Sequence, residues 1–209
     1  MALELKSGIT LYFARHGETA ANVQRRFQGR NDTPLTPHGR IQAQMLAAIL
    51  ADCVKDKPIP HFVCSPLPRT RTTMEIILDA LGLPRVFDTD ERLMEIDLGA
   101  WSGLTDDEAS ALDPAMWDKR VHDKWNVRVP GGGENYAMVA DRLTAWAREL
   151  ARDTVAISHG AATRILRGLF LGLTWEEMSS LDERQDCVFR YRDGQLTRLE
   201  YQGPLKAQV

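Results

Sequence analysis

No stretch of this chain reaches the eighteen or more consecutive apolar residues that a membrane-spanning helix needs, and Met1 to Gly8 carries no signal-peptide core. The expected location is therefore the cytoplasm, with no membrane partner. Cysteine is scarce as well. Cys53, Cys64 and Cys187 form an odd, widely spaced set that fits neither a disulfide framework nor a zinc-ligand pattern, so reduced thiols and no metal site are expected. Neither sign of charge dominates: the formal net charge of −3 provides no global basic field for nucleic acid, and an anionic ligand has to be captured by a local arginine cluster. There is no internal repeat and no long linker. A length of 209 residues at 44% hydrophobic content suits one domain over 1–209 with a buried central sheet.

What the chain does have is two short apolar runs that each end in histidine and glycine. Ile9-Thr10-Leu11-Tyr12-Phe13-Ala14 leads into Arg15-His16-Gly17-Glu18-Thr19, and Val155-Ala156-Ile157-Ser158 leads into His159-Gly160. In an α/β fold the carboxyl ends of buried strands are where ligands bind, so the two histidines suggest one shared pocket. Taken singly, a strand-end histidine is more often structural; the paired contexts reverse that preference. A neutral imidazole is a nitrogen nucleophile, and a phosphoryl group is an electrophile suited to it. An adjacent arginine fits the same substrate, because its planar fork binds phosphate oxygens in pairs.

The remaining pattern alternates strands and helices. Thr36 and Pro37 start a helix through about Val54, with Ile41, Met45 and Ala48 beside Leu46, Ile49 and Leu50 as its apolar stripe. A strand His61–Cys64 feeds a helix from about Arg69 to Leu81. Further elements are a strand near Val86-Phe87, a helix over Tyr136 to Arg152, a strand Thr154–Ser158 and a helix Thr163–Leu171. Strands separated by helices imply a three-layer α/β/α fold with a mainly parallel central sheet. Cys187–Tyr191 and Gln195–Tyr201 read as a hairpin around an Asp-Gly turn. From about 102 to 133 the pattern breaks into short, charged, tryptophan-containing pieces, read as a helical cap or lid. Gly131-Gly132-Gly133 lacks the following Lys-Ser or Lys-Thr of a nucleotide loop and reads as a flexible turn.

The chain resembles the histidine phosphatase superfamily, in its phosphoglycerate-mutase-like branch. The resemblance is carried in order by Arg15-His16-Gly17-Glu18-Thr19 with Asn22, Pro34 to Gly39, Ser65-Pro66-Leu67-Pro68-Arg69 with Thr73, Glu95, Gly99 to Leu104, Pro130 to Glu134, and Ser158-His159-Gly160. It implies that His16 is the phosphorylated nucleophile, that Arg15, Arg69 and His159 complete the phosphate pocket, and that Glu95 is the proton donor. A carboxyl can do that only if its surroundings keep it protonated near working pH. Asn22 would donate an amide hydrogen bond, and Gln28, Gly29, Gly160 and Ala161 are further phosphate-binding candidates. His159, if protonated, would add positive charge, and the first amides of the helix after it would face the phosphate. Read without that ligand, Gly160-Ala161-Ala162 is an ordinary tight turn. Asp97 is a weak alternate donor or, better, a solvated acid.

Departures from the mutases favour a hydrolase. Ile96 and Leu98 stand where the mutases carry arginine and tyrosine, Ala21 replaces an aromatic residue, and Asp118-Lys119 replaces tandem arginines. Losing partners for a substrate carboxylate weakens retention of the released intermediate and leaves water as the acceptor. The expected activity is metal-independent hydrolysis of a small phosphorylated metabolite, with no cofactor. The alternatives are a cofactor-dependent phosphoglycerate mutase and a silent phospho-ligand binder, which retention of Arg15, His16, Arg69, Glu95 and His159 disfavours. Arg25, Arg26 and Arg30 could hold a second anion, but a solvated basic loop is the preferred reading. Pairing as a homodimer stays open.

Overall fold

Period-two alternation decides how each strand divides its side chains between two cores. The computed structural model describes residues 2–55 and 58–203. The expectation of one domain over 1–209 also takes in residues 1, 56–57 and 204–209, which lie outside the described residues. In β1 (Leu11–Arg15), Leu11 and Phe13 enter one core while Tyr12 and Ala14 enter the other. In β2 (His61–Cys64) and β4 (Thr154–Ser158), Val63 and Ala156 join the first core, whereas Phe62, Cys64, Val155 and Ile157 join the second. Both faces of this sheet are covered, which is why its strands read as continuous apolar runs.

Among the described residues the sheet has six strands, completed by β3 (Asp88–Thr89), β5 (Cys187–Arg192) and β6 (Gln195–Glu200), in the order β3-β2-β4-β1-β5-β6. The first four run parallel; β5 pairs antiparallel with β1, and β6 with β5. The mainly parallel three-layer expectation is met. The hairpin turn has Asp193 at φ 47° and Gly194 at φ 79°, the two positive angles that a tight Asp-Gly turn requires.

One core is closed by α2 (Pro37–Val54) and α3 (Pro68–Ala80), the other by α6 (Tyr136–Glu149) and α7 (Gly160–Leu171). Two short helices unforeseen in the sequence are α1 (Ala20–Val23) and α8 (Trp175–Ser180), each closed by a capping box, on Thr19 and Thr174. Apart from the two main cores lie α4 (Asp106–Leu112) and α5 (Pro114–His122), within the stretch from about 102 to 133. Their small core joins Trp101, Ala109 and Val129 to Phe27, Met116 and Trp117, with the Trp101 and Trp117 rings 5.3 Å apart.

Several boundaries differ from expectation. The strand expected at Val86-Phe87 forms at Asp88–Thr89, because register with β2 is set by Val63 and Cys64 and leaves Val86 exposed. The helix expected to run to Arg152 ends at Glu149. On α2 the buried stripe is Gln42, Ala43, Leu46, Ala47, Ile49 and Leu50, while Ile41 is exposed. Gln42 turns inward because its Oε1 accepts the Glu18 amide at 2.7 Å.

Candidate active site

The parallel pairing of β1 with β4 puts Arg15 opposite Ser158, so both strands end level and deliver the next residues, His16 and His159, side by side. Their ring centroids are 5.2 Å apart in an edge-on arrangement, and His16 N–H donates to the Ser158 carbonyl at 2.9 Å. The loop after β1 is pinned to the start of α2. A Cβ on Gly17 would lie 2.2 Å from the Gly39 carbonyl oxygen, and one on Gly39 would lie 2.1 Å from the Glu18 carbonyl oxygen, so only glycine fits at either position. Thr36 adds a hydroxyl bond to the Glu18 carboxylate (2.7 Å), and Thr73 accepts the Gly17 amide (3.2 Å). These dispersed motif residues hold His16 rather than touching a ligand.

His16 Nδ1 lies 2.7 Å from the Gly17 carbonyl oxygen, which can only accept, so that nitrogen carries the proton and Nε2 keeps its lone pair. Burial, then the Arg15 and Arg69 guanidiniums, hold the imidazole well below the usual histidine range. It is neutral near pH 7. Arg69, 1% exposed at the start of α3, donates from Nε to His16 Nε2 (3.2 Å), from Nη1 to Asn31 O and Asp32 Oδ1, and from Nη2 to Gly29 O. It therefore ties the loop 29–32 to the histidine.

Glu95 is half-buried in the loop before the 3₁₀ turn at Gly99–Trp101, and its carboxylate caps α7. It accepts from Ile96 N (2.9 Å), Ala161 N (3.2 Å) and Ala162 N (3.3 Å). The amide of Ala161, expected to hold phosphate, is thus engaged by an internal carboxylate: a helix start without a side-chain cap attracts the nearest anion. Burial, followed by the neighbouring Glu183 carboxylate, nevertheless raises the Glu95 pKa above the usual carboxyl range.

His159 departs from expectation in charge. It is fully buried, and burial with Arg69, His16 and Arg15 around it holds it well below the usual histidine range, so the imidazole is neutral. Neither of its ring nitrogens has a hydrogen-bond partner, nor has Arg15 Nε. Those are the groups a bound oxyanion would satisfy. At Gly160 a Cβ would lie 2.4 Å from Glu183 Oε2 and 3.2 Å from Arg15 Cζ, so a larger residue there would displace the ends of those two side chains.

Of the weaker candidates, Asn22, Gln28 and Gly29 line the same cavity of about 600 Å³ as Arg15, His16, Arg69 and Glu95. Asn22 Oδ1 accepts from Thr19 N and Gln185 Nε2, so a hydrogen bond from Asn22 to a ligand would have to come from its amide nitrogen. Gln28 donates to Thr33 Oγ1, and Gly29 contributes a carbonyl to Arg69. Asp97 is not on a strand; it accepts from Gly99 N and lies 3.6 Å from Arg30, a loop-shaping acid. Arg26 is committed to Glu108 and Gly103 O, and Arg30 to Asp97 and Glu134, in keeping with the basic-loop reading. Cys64 is buried beneath the site with its thiol pushed up to about 12, which leaves it inert.

Three residues at the site gave no sequence signal. Asp32 pairs with Arg69 at 3.0 Å. Glu183 bridges Arg15 and Arg164, its carboxylate lying 3.6 and 3.0 Å from them, and Gln185 Nε2 donates to His16 O. Glu183 and Gln185 come from the loop after α8, whose sequence has no periodicity to read. Arg164 was findable, since it lies four residues after Gly160 on one face of α7.

A family model described as the histidine phosphatase superfamily (branch 1) matches residues 11–202. A probable phosphoglycerate mutase GpmB of Escherichia coli O1:K1 / APEC is 33% identical over 204 residues, covering 94% of this chain and 87% of that one. A solved mycobacterial glucosyl-3-phosphoglycerate phosphatase superposes with a TM-score of 0.70 at 30% identity, covering 93% of this chain and 98% of that one. A putative alpha-ribazole-5'-P phosphatase from Escherichia coli K-12 shares the fold, with a TM-score of 0.77 at 21% identity over 98% and 100% of the two chains.

Proposed function

This chain belongs to the histidine phosphatase superfamily, branch 1, whose chemistry runs through a phosphohistidine, and from that premise we propose that it is a metal-independent phosphomonoester hydrolase acting on a small phosphorylated metabolite. The observation that carries the reading is the pairing of a neutral His16, whose Nε2 lone pair lies beside Arg69, with a half-buried Glu95 of raised pKa in the same cavity.

In this mechanism His16 Nε2 attacks phosphorus in line, and the P–O bond to the leaving group breaks as the N–P bond forms. Arg15 and Arg69 neutralise the equatorial oxygens, joined by the His159 ring N–H and the Asn22 amide. Glu95 gives its proton to the leaving alkoxide. As a carboxylate it then takes a proton from water, whose oxygen attacks the phosphohistidine and frees His16 and inorganic phosphate. Arg69 Nε, which donates to His16 Nε2 at 3.2 Å, transfers that hydrogen bond to a phosphate oxygen.

What favours water over a second substrate hydroxyl as acceptor is that Ile96 and Leu98, both on the cavity wall, offer no donor at the two positions where the mutases carry arginine and tyrosine. The mutase reading has its own support in the GpmB relative. Phosphate release from an aryl phosphate and from 3-phosphoglycerate, with chelator present and with His16→Ala as comparison, tests the proposal. Chelator-resistant release lost in the variant supports the hydrolase; 2-phosphoglycerate formation without release supports the mutase, and neither activity favours a silent binder.

A further inference from the structure

The cavity continues past the phosphate end into the cap, and its far wall carries charge that the reaction above does not use. On α5 and just beyond it, Trp117, Arg120, Val121 and Lys124 all line the cavity, a spacing that places them on one helical face. Arg120 is 5% exposed, and its Nε and Nη1 make no hydrogen bond. Both it and Arg164 pack against the Tyr136 ring, with guanidinium carbons 5.2 and 5.6 Å from the ring centroid. Arg164 donates to the Tyr136 hydroxyl, and its other partner is Glu183, which it shares with Arg15. The Lys124 ammonium is held below its ordinary range by burial and by Arg164 and Arg120.

Burying a guanidinium without hydrogen-bonded partners is unfavourable, and packing a lysine and a second arginine beside it adds repulsion. The acids on this part of the wall are Asp106 and Glu183, and Glu183 is already divided between Arg15 and Arg164. A buried donor set of this kind is satisfied by an oxyanion brought by a ligand, and Arg120 presents an unspent fork for it. The shared Glu183 carboxylate makes Arg164 the link between the two ends of the cavity.

We infer that Arg120, Lys124 and Arg164 form a second oxyanion subsite, so that the substrate is a phosphate monoester bearing another carboxylate or phosphate on the part that leaves. This deepens the hydrolase reading and rests on it for the identity of the first subsite. The residues differ from Ile96, Leu98 and Asp118-Lys119, the positions at which the mutases hold a carboxylate. The anion would be gripped from the cap.

The test compares matched esters that differ by one anion: glycerol 3-phosphate with 3-phosphoglycerate, and fructose 6-phosphate with fructose 1,6-bisphosphate. Wild type should favour the doubly anionic member of one pair by about tenfold or more in kcat/KM, the scale of a charge-assisted hydrogen bond. Whichever pair shows the preference distinguishes carboxylate from phosphate. Arg120→Gln and Lys124→Met should each remove most of the preference through KM, whereas Arg85→Ala, an exposed partner of Asp79, should retain it. Should Arg120→Gln not fold, Lys124→Met carries the comparison. Hydrolysis without any preference, or a preference that survives Lys124→Met, overturns the subsite and leaves the hydrolase standing. If no ester is hydrolysed, calorimetric titration of the same esters decides: tighter binding of a doubly anionic member, lost in Lys124→Met, sustains the subsite while the hydrolase falls, and equal binding overturns the subsite too.

Discussion

At the sheet end of the cavity Arg69 spends its nitrogens on His16, Asn31, Asp32 and Gly29, whereas at the cap end Arg120 leaves Nε and Nη1 without a partner. The first end is set by backbone: level strand termini, glycines in contact with carbonyls, and the start of α7. The second end is set by side chains on short helices packed through Trp101 and Trp117. Partnered groups fix reacting atoms in place, as in-line displacement requires. Unpartnered ones confer selectivity, because only a ligand with the complementary charge relieves their desolvation.

The comparison breaks most directly at His16. His16→Ala should lower kcat by about 10⁴-fold or more on every ester, the scale seen when a covalent nucleophile is removed, with binding of inorganic phosphate retained. A residual rate within about tenfold of wild type would transfer the chemistry elsewhere. Next comes Glu95→Gln, for which rapid-quench kinetics should show a loss of about 10²- to 10³-fold on alkyl phosphates and a much smaller one on aryl phosphates, whose leaving groups need no proton. Equal losses on both classes in the phosphorylation burst, before Glu95 acts as a base, would make it a structural cap of α7 rather than an acid.

How much of this was legible in the sequence follows the same division. Arg15, His16, His159 and Gly160 could be read because buried strands announce themselves by apolar runs and the next residue must fall at the sheet edge. Glu95 was legible only through the family resemblance: it sits in an irregular loop, and nothing local announces that its carboxylate reaches the amides of Ala161 and Ala162. The neutrality of His159 was hidden as well, since it depends on complete burial of the ring and then on the arginines packed around it. Arg120 and Lys124 fall in the short, charged pieces read only as a cap, and neither stood out by its position. Only tertiary packing against Tyr136 turned these side chains inward.

A smaller effect sharpens the boundary between the two ends at Glu183, whose carboxylate lies 3.6 Å from Arg15 and 3.0 Å from Arg164. It is an anion already present where an anionic ligand must arrive. Glu183→Gln should lower the inhibition constant of inorganic phosphate by about three- to tenfold, a modest gain because the group is partly exposed and screened. The same variant shifts the pH profile in a determined direction. Glu183 is one of the groups that raise the Glu95 pKa, and the acid form of Glu95 is the active one, so activity is lost as pH rises through that pKa. Removing the Glu183 charge lowers the pKa and moves the alkaline limb of kcat/KM to lower pH. The acid limb, set by a His16 held well below the usual histidine range, moves much less, because Glu183 is not among the groups that shift it. A limb moving to higher pH would contradict this arrangement.

The smallest effect belongs to Arg26, which shares the cavity wall with Arg120 yet differs from it in having partners. Its Nη1 lies 2.7 Å from Glu108 Oε2 and 2.8 Å from Gly103 O, so it fastens the loop after α1 to the start of α4. Both side chains of the ion pair are more than a third exposed, so Arg26→Ala should reduce unfolding stability by less than about 1 kcal/mol, measured by urea denaturation. A cation whose charge is already balanced gains little from a second anion. The preference between singly and doubly anionic esters should therefore change by less than about twofold in this variant, against the roughly tenfold change expected for Lys124→Met. Were Arg26→Ala to abolish that preference instead, the second anion would sit against the loop after α1, and the contrast between partnered and unpartnered arginines would not be what selects the substrate.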